Sequence, residues 1–194
     1  MMLPSRVDIG RDLGRDPDTV KIGYYSTIGD LLHCGHLACM REARNYCDYL
    51  FVGIVDDPTK DRDWKNKPVQ SLFERFFQVA SCRYVDCVVP LSNEQDLYDS
   101  LLLLKPDVRF VGEEYKGKVF TGSELPDIEI IYLPRKHSFS STDLRTRVYN
   151  AERALHDTPK HAPANQNITS VPAPKQITQE DVDALMKDIG KQDL

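Results

Sequence analysis

Short, nearly continuous apolar runs alternate along this chain with segments of helical composition. Strands without polar alternation are buried on both faces, which is typical of parallel sheets covered by crossover helices on both sides. The sequence therefore predicts an α/β protein with a doubly wound parallel sheet, in which ligands bind beyond the carboxyl ends of the strands. The predicted strands are residues 20–26, 49–55, 87–89, 108–111 and 128–133, and the predicted helices are residues 37–46, 71–84, 94–104 and 142–155.

Changes in composition divide the chain into three predicted regions. Residues 1–19 are polar and lack sustained periodicity, so we expect an extension before the domain. Residues 20–155 carry the alternating pattern and form the predicted domain. Residues 156–194 contain several prolines and no aromatic residue, which is typical of a flexible linker. Within this tail, residues 179–189 have the spacing of a short amphipathic helix, either one that frays or folds back, or one that docks a protein partner.

Charge and cysteine content narrow the class of protein. The net charge of −5 argues against a general nucleic-acid binder, which needs a basic face to displace counterions. The five cysteines are odd in number and form no Cys-x-x-Cys pair. We see no signal peptide before them and expect reduced thiols in a cytoplasmic protein. The apolar runs are too short to span a bilayer, so we expect no membrane insertion.

The strongest local feature follows the first predicted strand and reads Asp30-Leu31-Leu32-His33-Cys34-Gly35-His36. Two histidines three residues apart at a helix start lie on one side of the turn. Their ring N–H groups and the backbone N–H groups of the helix terminus can then point at one anion. Gly35 has no side chain to block a phosphate. Donors fixed in this way stabilise a pentacovalent phosphorus transition state, so the motif predicts phosphoryl-transfer chemistry.

Two other interpretations of this motif stay open. A zinc site would use His33 and His36 with Cys34 or Cys39, although the spacing matches no common zinc pattern and a fourth ligand is not evident nearby. Alternatively, the two histidines only cap the helix. Two histidines flanking a glycine at a strand-to-helix turn are unusual for a cap alone, so we favour a functional site without a metal held by the protein.

Residues 24–36, YYSTIGDLLHCGH, resemble the signature of the glycerol-3-phosphate cytidylyltransferase family, Gly-x-Phe-Asp-Leu-Leu-His-x-Gly-His. The resemblance covers roughly residues 20–150, and its separated motifs in the right order are specific together. It implies a Rossmann-like nucleotidyltransferase domain of the HxGH type and, as is common in the family, a homodimer. Further segments similar to the family are residues 41–44, 47–54, 65–69, 74–75, 84–90, 112–117, 132–135 and 140–142.

The resemblance also implies roles for individual residues. His33 and His36 would contact the triphosphate at the attacked α-phosphate, Lys65 or Lys67 would reach phosphate from a polar loop, and Arg135 would supply a fork of donors. A purely structural role is the alternative for Asp30 as a turn cap, for the hydroxyl residues at 140–142 as a helix cap, and for solvated lysines. The nucleotide-binding positions are Ser26, Thr27, Asp30, Gly35, Gly112, Glu114, Tyr115, Ser140, Ser141 and Thr142.

The implied reaction transfers CMP from CTP to a small phosphorylated alcohol, by default glycerol 3-phosphate, and releases pyrophosphate. Mg²⁺ would neutralise the triphosphate. An adenylyltransferase of the same superfamily that uses ATP is one alternative. The other is an inactive nucleotide-binding or scaffold protein that acts through its C-terminal tail.

The chain also departs from the family pattern. Thr27 stands at the family's glycine position and Gly29 at its phenylalanine position, so we expect Thr27 to crowd the nucleotide and Gly29 to loosen the loop. Tyr115 replaces tryptophan, and residues 136–139 read Lys-His-Ser-Phe in place of Thr-Glu-Gly-Ile. These changes predict retained phosphate chemistry with altered surroundings for the base and the acceptor.

Overall fold

The computed structural model describes residues 3–134 and 138–157. The chain divides into two units, Met1–Arg135 and Lys136–Leu194. The first unit contains α1 (Arg6–Leu13), β1 (Ile22–Thr27), α2 (Cys34–Arg44), β2 (Tyr49–Val55), α3 (Leu72–Ala80), β3 (Cys87–Leu91), α4 (Glu94–Leu104), β4 (Val108–Gly112) and β5 (Glu129–Leu133). The second contains α5 (Ser141–Asp157). The domain boundary predicted at residue 155 stays a prediction, and the helix predicted over residues 179–189 lies outside the described residues.

The strands form one parallel sheet in the order β3-β2-β1-β4-β5. This arrangement confirms the predicted α/β fold. The winding reverses between β1 and β4, because the chain moves outward through β2 and β3 and then returns to the other side of β1. The carboxyl ends of β1 at Thr27 and of β4 at Gly112 therefore border the crevice where such sheets bind ligands.

Alternate side chains of β2 point to opposite faces of the sheet, as strand geometry requires. Leu50, Val52 and Ile54 belong to a buried cluster that includes residues of α2 and α3. Phe51 belongs to a second buried cluster, which includes Ile9 of α1 and residues of α4. The sheet is therefore covered by helices on both faces.

Residues 1–19, predicted as an extension ahead of the domain, contain a helix that packs on the core. Residues 6–13 form α1, and a reciprocal capping box closes its first turn. Ile9 is 1% exposed and lies in the core. Arg6 donates a hydrogen bond to the backbone oxygen of Val20 at 2.6 Å. The helix escaped prediction because eight residues are too few to show an apolar period.

An aspartate stands immediately before each of β2, β3 and β4. Its carboxylate accepts a hydrogen bond from a backbone N–H of a neighbouring strand, or of the residue just before that neighbouring strand. Such bonds satisfy donors that the parallel ladder leaves at its amino end. The amino edge of the sheet is thus fastened by side chains as well as by the ladder. The pairs are Asp48 with Lys21 at 2.8 Å, Asp86 with Leu50 at 2.7 Å and Asp107 with Ile22 at 2.6 Å.

Among the helices described in residues 3–134 and 138–157, none is long and apolar enough to traverse a bilayer.

Candidate active site

His33 and His36 lie where the chain leaves β1 and enters α2. His33 is the N-cap residue, and its Nδ1 accepts a hydrogen bond from the N–H of Gly35 at 3.1 Å. Nδ1 of His36 accepts from the N–H of His33 at 3.4 Å. The ring centroids are 4.0 Å apart. The capping role that the sequence left open is therefore present, and both histidines take part in it.

The cap also orients the two rings chemically. In a neutral imidazole one nitrogen accepts while the other carries the proton. Because Nδ1 accepts in both rings, the neutral form of each has its proton on Nε2. Two Nε2–H donors side by side at a helix N-terminus suit an anionic oxygen, since the backbone dipoles favour negative charge there. Capping and phosphate binding use different nitrogens, so the two roles are compatible.

Asp30 joins the turn that precedes His33 to the end of the lysine-bearing loop. Its side chain is buried, with 3% of the residue exposed. Oδ1 accepts from the N–H groups of Val69 and Gln70, both at 3.0 Å. In return, Oε1 of Gln70 accepts from the N–H of Leu31 at 2.7 Å. Asp30 thus has a structural role, and its contact with nucleotide stays a prediction.

Arg75 is a residue to which the sequence analysis assigned no role, although residues 74–75 belong to the family resemblance. It is 1% exposed and donates to four backbone oxygens: Ile28 at 2.7 Å, Val55 at 2.6 Å, Asp56 at 2.6 Å and Gln70 at 3.1 Å. Burial lowers the pKa of the guanidinium, and the charge of Asp30 opposes that shift. Arg75 therefore ties together the loops that follow β1 and β2. The available signal was a charged residue on the apolar stripe of α3, between Leu72 and Val79.

The two predicted lysines lie on the loop between β2 and α3. The backbone N–H of Lys65 donates to the oxygen of Arg62 at 3.0 Å, which closes a tight turn. Nζ of Lys67 lies 3.9 Å from Oδ2 of Asp57, and its side chain is exposed. The structure brings both lysines to the carboxyl edge of the sheet, and their contact with phosphate stays a prediction.

Arg62 links this loop to other loops at the same edge. Its guanidinium forms an ion pair with Oε1 of Glu94 at 2.6 Å, at the start of α4. It also lies within 3.3 Å of the hydroxyl of Tyr115, in the segment that follows β4. The loops after β2 and β4 are therefore joined through one side chain.

The crevice between β1 and β4 contains five of the predicted nucleotide-binding residues. Ser26 and Thr27 end β1, and Gly112 ends β4. The Glu114 carboxylate folds back over Gly112 so closely that a Cβ at residue 112 would overlap it. Tyr115 completes the short turn beside them. The structure thus gathers these residues where the winding reverses.

A partly buried tyrosine, which the sequence analysis did not single out, lies beside this crevice. The hydroxyl of Tyr25 interacts with the side chains of Thr27 and Cys39, and burial raises the pKa of Tyr25 well above its usual range. Tyr25 therefore stays a neutral hydroxyl. Its contact fixes the end of β1 against α2.

The expectation that Gly29 loosens the loop is wrong. Gly29 is buried with φ of +68°, a conformation that side chains with a Cβ rarely adopt. An added Cβ would lie 3.3 Å from Cδ1 of Ile54. Leu31 also has a positive φ, of +50°. The turn is therefore tightly folded, and Gly29 is what permits its shape.

The remaining predicted residues belong to the second unit or are not described. Oγ of Ser140 accepts from the N–H of Asp143 at 3.1 Å, so Ser140 has the capping role that the sequence offered as an alternative. Ser141 and Thr142 follow it in the first turn of α5. Arg135 lies outside the described residues. Phosphate contacts by these four residues stay predictions.

An acidic cavity of about 340 Å³ lies on the first unit, beside the start of α4. Two carboxylates in its wall make it a poor place for a phosphate, because like charges repel. Across residues 3–134 and 138–157, no group of three or more His, Cys, Asp or Glu side chains is placed to hold a metal, so the zinc interpretation gains no ligand set there. The cavity is lined by Glu94, Gln95, Tyr98, Thr121, Gly122 and Glu124.

Comparison with known sequences identifies related proteins. The model of a family described as cytidylyltransferase-like matches residues 27–147. An ethanolamine-phosphate cytidylyltransferase of Dictyostelium discoideum is 43% identical over 93 residues, which cover 45% of this chain and 26% of that protein. The bifunctional protein HldE of Aliarcobacter butzleri is 33% identical over 108 residues, covering 55% of this chain and 22% of that protein. The chain spans about a quarter of the length of these relatives.

Among solved structures, a pantoate–β-alanine ligase of Francisella tularensis superposes with a TM-score of 0.52. The match covers 79% of this chain and 77% of the ligase, at 18% sequence identity. At that identity the likeness concerns the fold alone, and it agrees with the doubly wound parallel sheet described above.

Proposed function

Because this chain belongs to the cytidylyltransferase-like family, we propose that it transfers CMP from CTP to the phosphate of a small phosphorylated alcohol and releases pyrophosphate. The observation that carries the proposal is the pair of imidazoles at the start of α2, oriented through Nδ1 beside the crevice between β1 and β4. Two Nε2–H donors on rings whose centroids are 4.0 Å apart are suited to the oxygens of an attacked phosphate.

The reaction needs donors more than it needs a base. An oxygen of the acceptor phosphate forms a bond to the α-phosphorus of CTP, and the bond from that phosphorus to the bridging oxygen of pyrophosphate breaks. The nucleophile is already an anion, so no proton has to be removed first. His33 and His36 donate to the α-phosphate oxygens as negative charge builds up on them.

Mg²⁺ would accompany the nucleotide and neutralise its phosphates. The ion usually binds substrate phosphates with only one or two carboxylates and several waters. The triphosphate itself would therefore carry the ion into the site.

The choice of CTP is supported by the cytidylyltransferase among the relatives. Transfer of AMP from ATP is the second candidate, from the wider superfamily. Glycerol 3-phosphate is the default acceptor from the sequence motif, and the name of the relative gives ethanolamine phosphate equal standing. Phosphocholine and a sugar phosphate complete the panel. A homodimer, a cytoplasmic location and a partner for residues 179–189 stay predictions.

The test is pyrophosphate release by the purified full chain with Mg²⁺, with CTP or ATP paired separately with each acceptor. A chain with both His33→Ala and His36→Ala serves as the blank. Release that requires CTP and one acceptor supports the proposal and names the substrate. Release that requires ATP supports the adenylyltransferase alternative. Tight CTP binding without release for any acceptor favours the scaffold alternative and contradicts the proposal.

A further inference from the structure

Residues 62–69 cross the carboxyl edge of the sheet, and we call this segment the strap. At one end, Arg62 is paired with Glu94 of α4. At the other end, the N–H of Val69 is bound by Asp30, just ahead of α3. Residues of α4 and α3 belong to buried clusters on opposite faces of the sheet. The strap therefore passes from one face to the other over the ends of the strands.

The strap begins with a tight turn that presents a large aromatic side chain. The hydrogen bond from Lys65 to Arg62 leaves Asp63 and Trp64 at the tip of that turn. Trp64 is 75% exposed and is the one tryptophan of the sequence. Tryptophan is highly buried on average because its ring system carries a large apolar area. A strongly exposed indole on a loop across a ligand crevice is therefore a candidate contact for a ligand.

The anchoring of the strap indicates which part of a nucleotide the indole would meet. Arg62 contacts Tyr115, which lies in the short turn that follows Gly112 at the β1–β4 crevice. Trp64 is two residues from Arg62, within about 7 Å along the chain. Trp64 therefore belongs to the part of the strap that Arg62 holds near the predicted base and ribose segment. The lysines that follow it, Lys65 and Lys67, supply positive charge farther along the strap.

We infer that Trp64 is the surface on which the base of the bound nucleotide stacks, an inference that rests on the proposed function. The strap then offers an aromatic face followed by two cations, the same order as the base and phosphates of a nucleotide. Stacking is tolerant of base identity because every base has a π-face. Trp64 accordingly governs how tightly the nucleotide binds, and other residues choose between CTP and ATP.

The single tryptophan makes the inference directly measurable. CTP with Mg²⁺ is expected to change the intrinsic fluorescence of the full chain and to protect it from quenching by acrylamide. Tripolyphosphate with Mg²⁺, which has no base, is expected to leave both readouts unchanged. An equal response to tripolyphosphate would overturn the inference, because it would report a phosphate-driven movement of the strap without base contact.

Variants give an independent readout by calorimetry. Trp64→Ala should weaken CTP binding about tenfold or more, which is the range measured for the loss of base–aromatic stacking. Trp64→Phe should restore most of the affinity. Phe73→Ala, which removes another strongly exposed aromatic from α3, should leave affinity unchanged. Unchanged affinity in Trp64→Ala overturns the inference alone, whereas a wild-type chain that binds neither CTP nor ATP overturns the proposed function with it.

Discussion

The ring of His36 lies 4.0 Å from the ring of His33, and a backbone N–H orients each ring through its Nδ1 atom. The two histidines thus cap α2 through their Nδ1 atoms, and each carries its Nε2–H as a hydrogen-bond donor. Substitution of either histidine by alanine removes a cap and an Nε2–H donor at the same time. A test of catalysis has to separate them.

We expect His33→Asn to lower turnover about 10²–10³-fold, the range for loss of one preorganised donor. Asparagine is a good N-cap residue, so its side-chain oxygen can still accept from the N–H of Gly35. Thermal unfolding should therefore remain close to wild type. His33→Ala should lose the same activity and about 1 kcal/mol of stability as well. Wild-type turnover in His33→Asn would show that His33 serves only as a cap.

Replacing Arg75 with methionine should lower the free energy of unfolding by about 3 kcal/mol or more, since four backbone oxygens would lose a buried donor. Arg75→Lys should be intermediate, because an ammonium lacks the planar fork of donors. Denaturant unfolding measures both. The matched control is Arg83→Met, which removes an exposed guanidinium 5.9 Å from the ring of Tyr84 and should cost less than about 1 kcal/mol. Equal losses at residues 75 and 83 would contradict the assigned role.

Gly29→Ala should cost about 1–2 kcal/mol from its positive φ, and more from the contact with Ile54. It should also reduce turnover, because residue 29 shapes the turn that leads to His33. Gly14→Ala has the same kind of strain, at φ of +64°, but its Cβ would have no atom within 4 Å. That control should lose stability without losing activity. Full activity in Gly29→Ala would argue against a role for the turn's shape.

Asp48 should make stability depend on pH in acid. The N–H of Lys21 foremost, and Arg15 beyond it, lower the pKa of Asp48 below its usual value. A folded-state pKa below the unfolded value means that the contribution is present above about pH 4 and is lost as the pH falls through the folded value. Asp48→Asn should be about 1 kcal/mol less stable at neutral pH. The difference should shrink when denaturant unfolding is repeated below about pH 4. Asp63→Asn, at an exposed residue of the strap, is the control and should change stability at neutral pH by less than about 0.5 kcal/mol.

Two elements of the fold have the bounds that the sequence predicts. β2 is a continuous apolar run between Asp48 and Asp56, and α4 ends where Lys105-Pro106 breaks the helix. In contrast, α3 ends at Ala80, whereas the apolar pattern predicted a helix to residue 84. Tyr84 is partly buried against the same cluster as α3, so the burial continues after the helix has stopped. Periodicity records burial, and burial alone does not fix a helix end.

The candidate site likewise contains some features that the sequence could predict and others that it could not. The histidine turn could be predicted because its residues are consecutive and its geometry is that of one helix start. The role of Arg75 could not, because its partners at residues 28, 55, 56 and 70 meet only through the sheet topology. The shape imposed by Gly29 was also missed. A glycine in a sequence motif allows a positive φ, but only the structure shows whether the residue adopts one, as Gly29 does.

The aspartates before β2, β3 and β4 fasten one rim of the sheet, while the loops proposed to bind the nucleotide leave from the opposite rim. Mutational tolerance should follow this division. Substitutions in the loops of that opposite rim should leave the strand order unchanged, because the aspartate contacts lie at the other end of the strands. With the proposed function, substitutions in these loops should change the preferred phosphorylated acceptor without changing the strand order. Libraries for changing specificity belong on the strap and on residues 113–117.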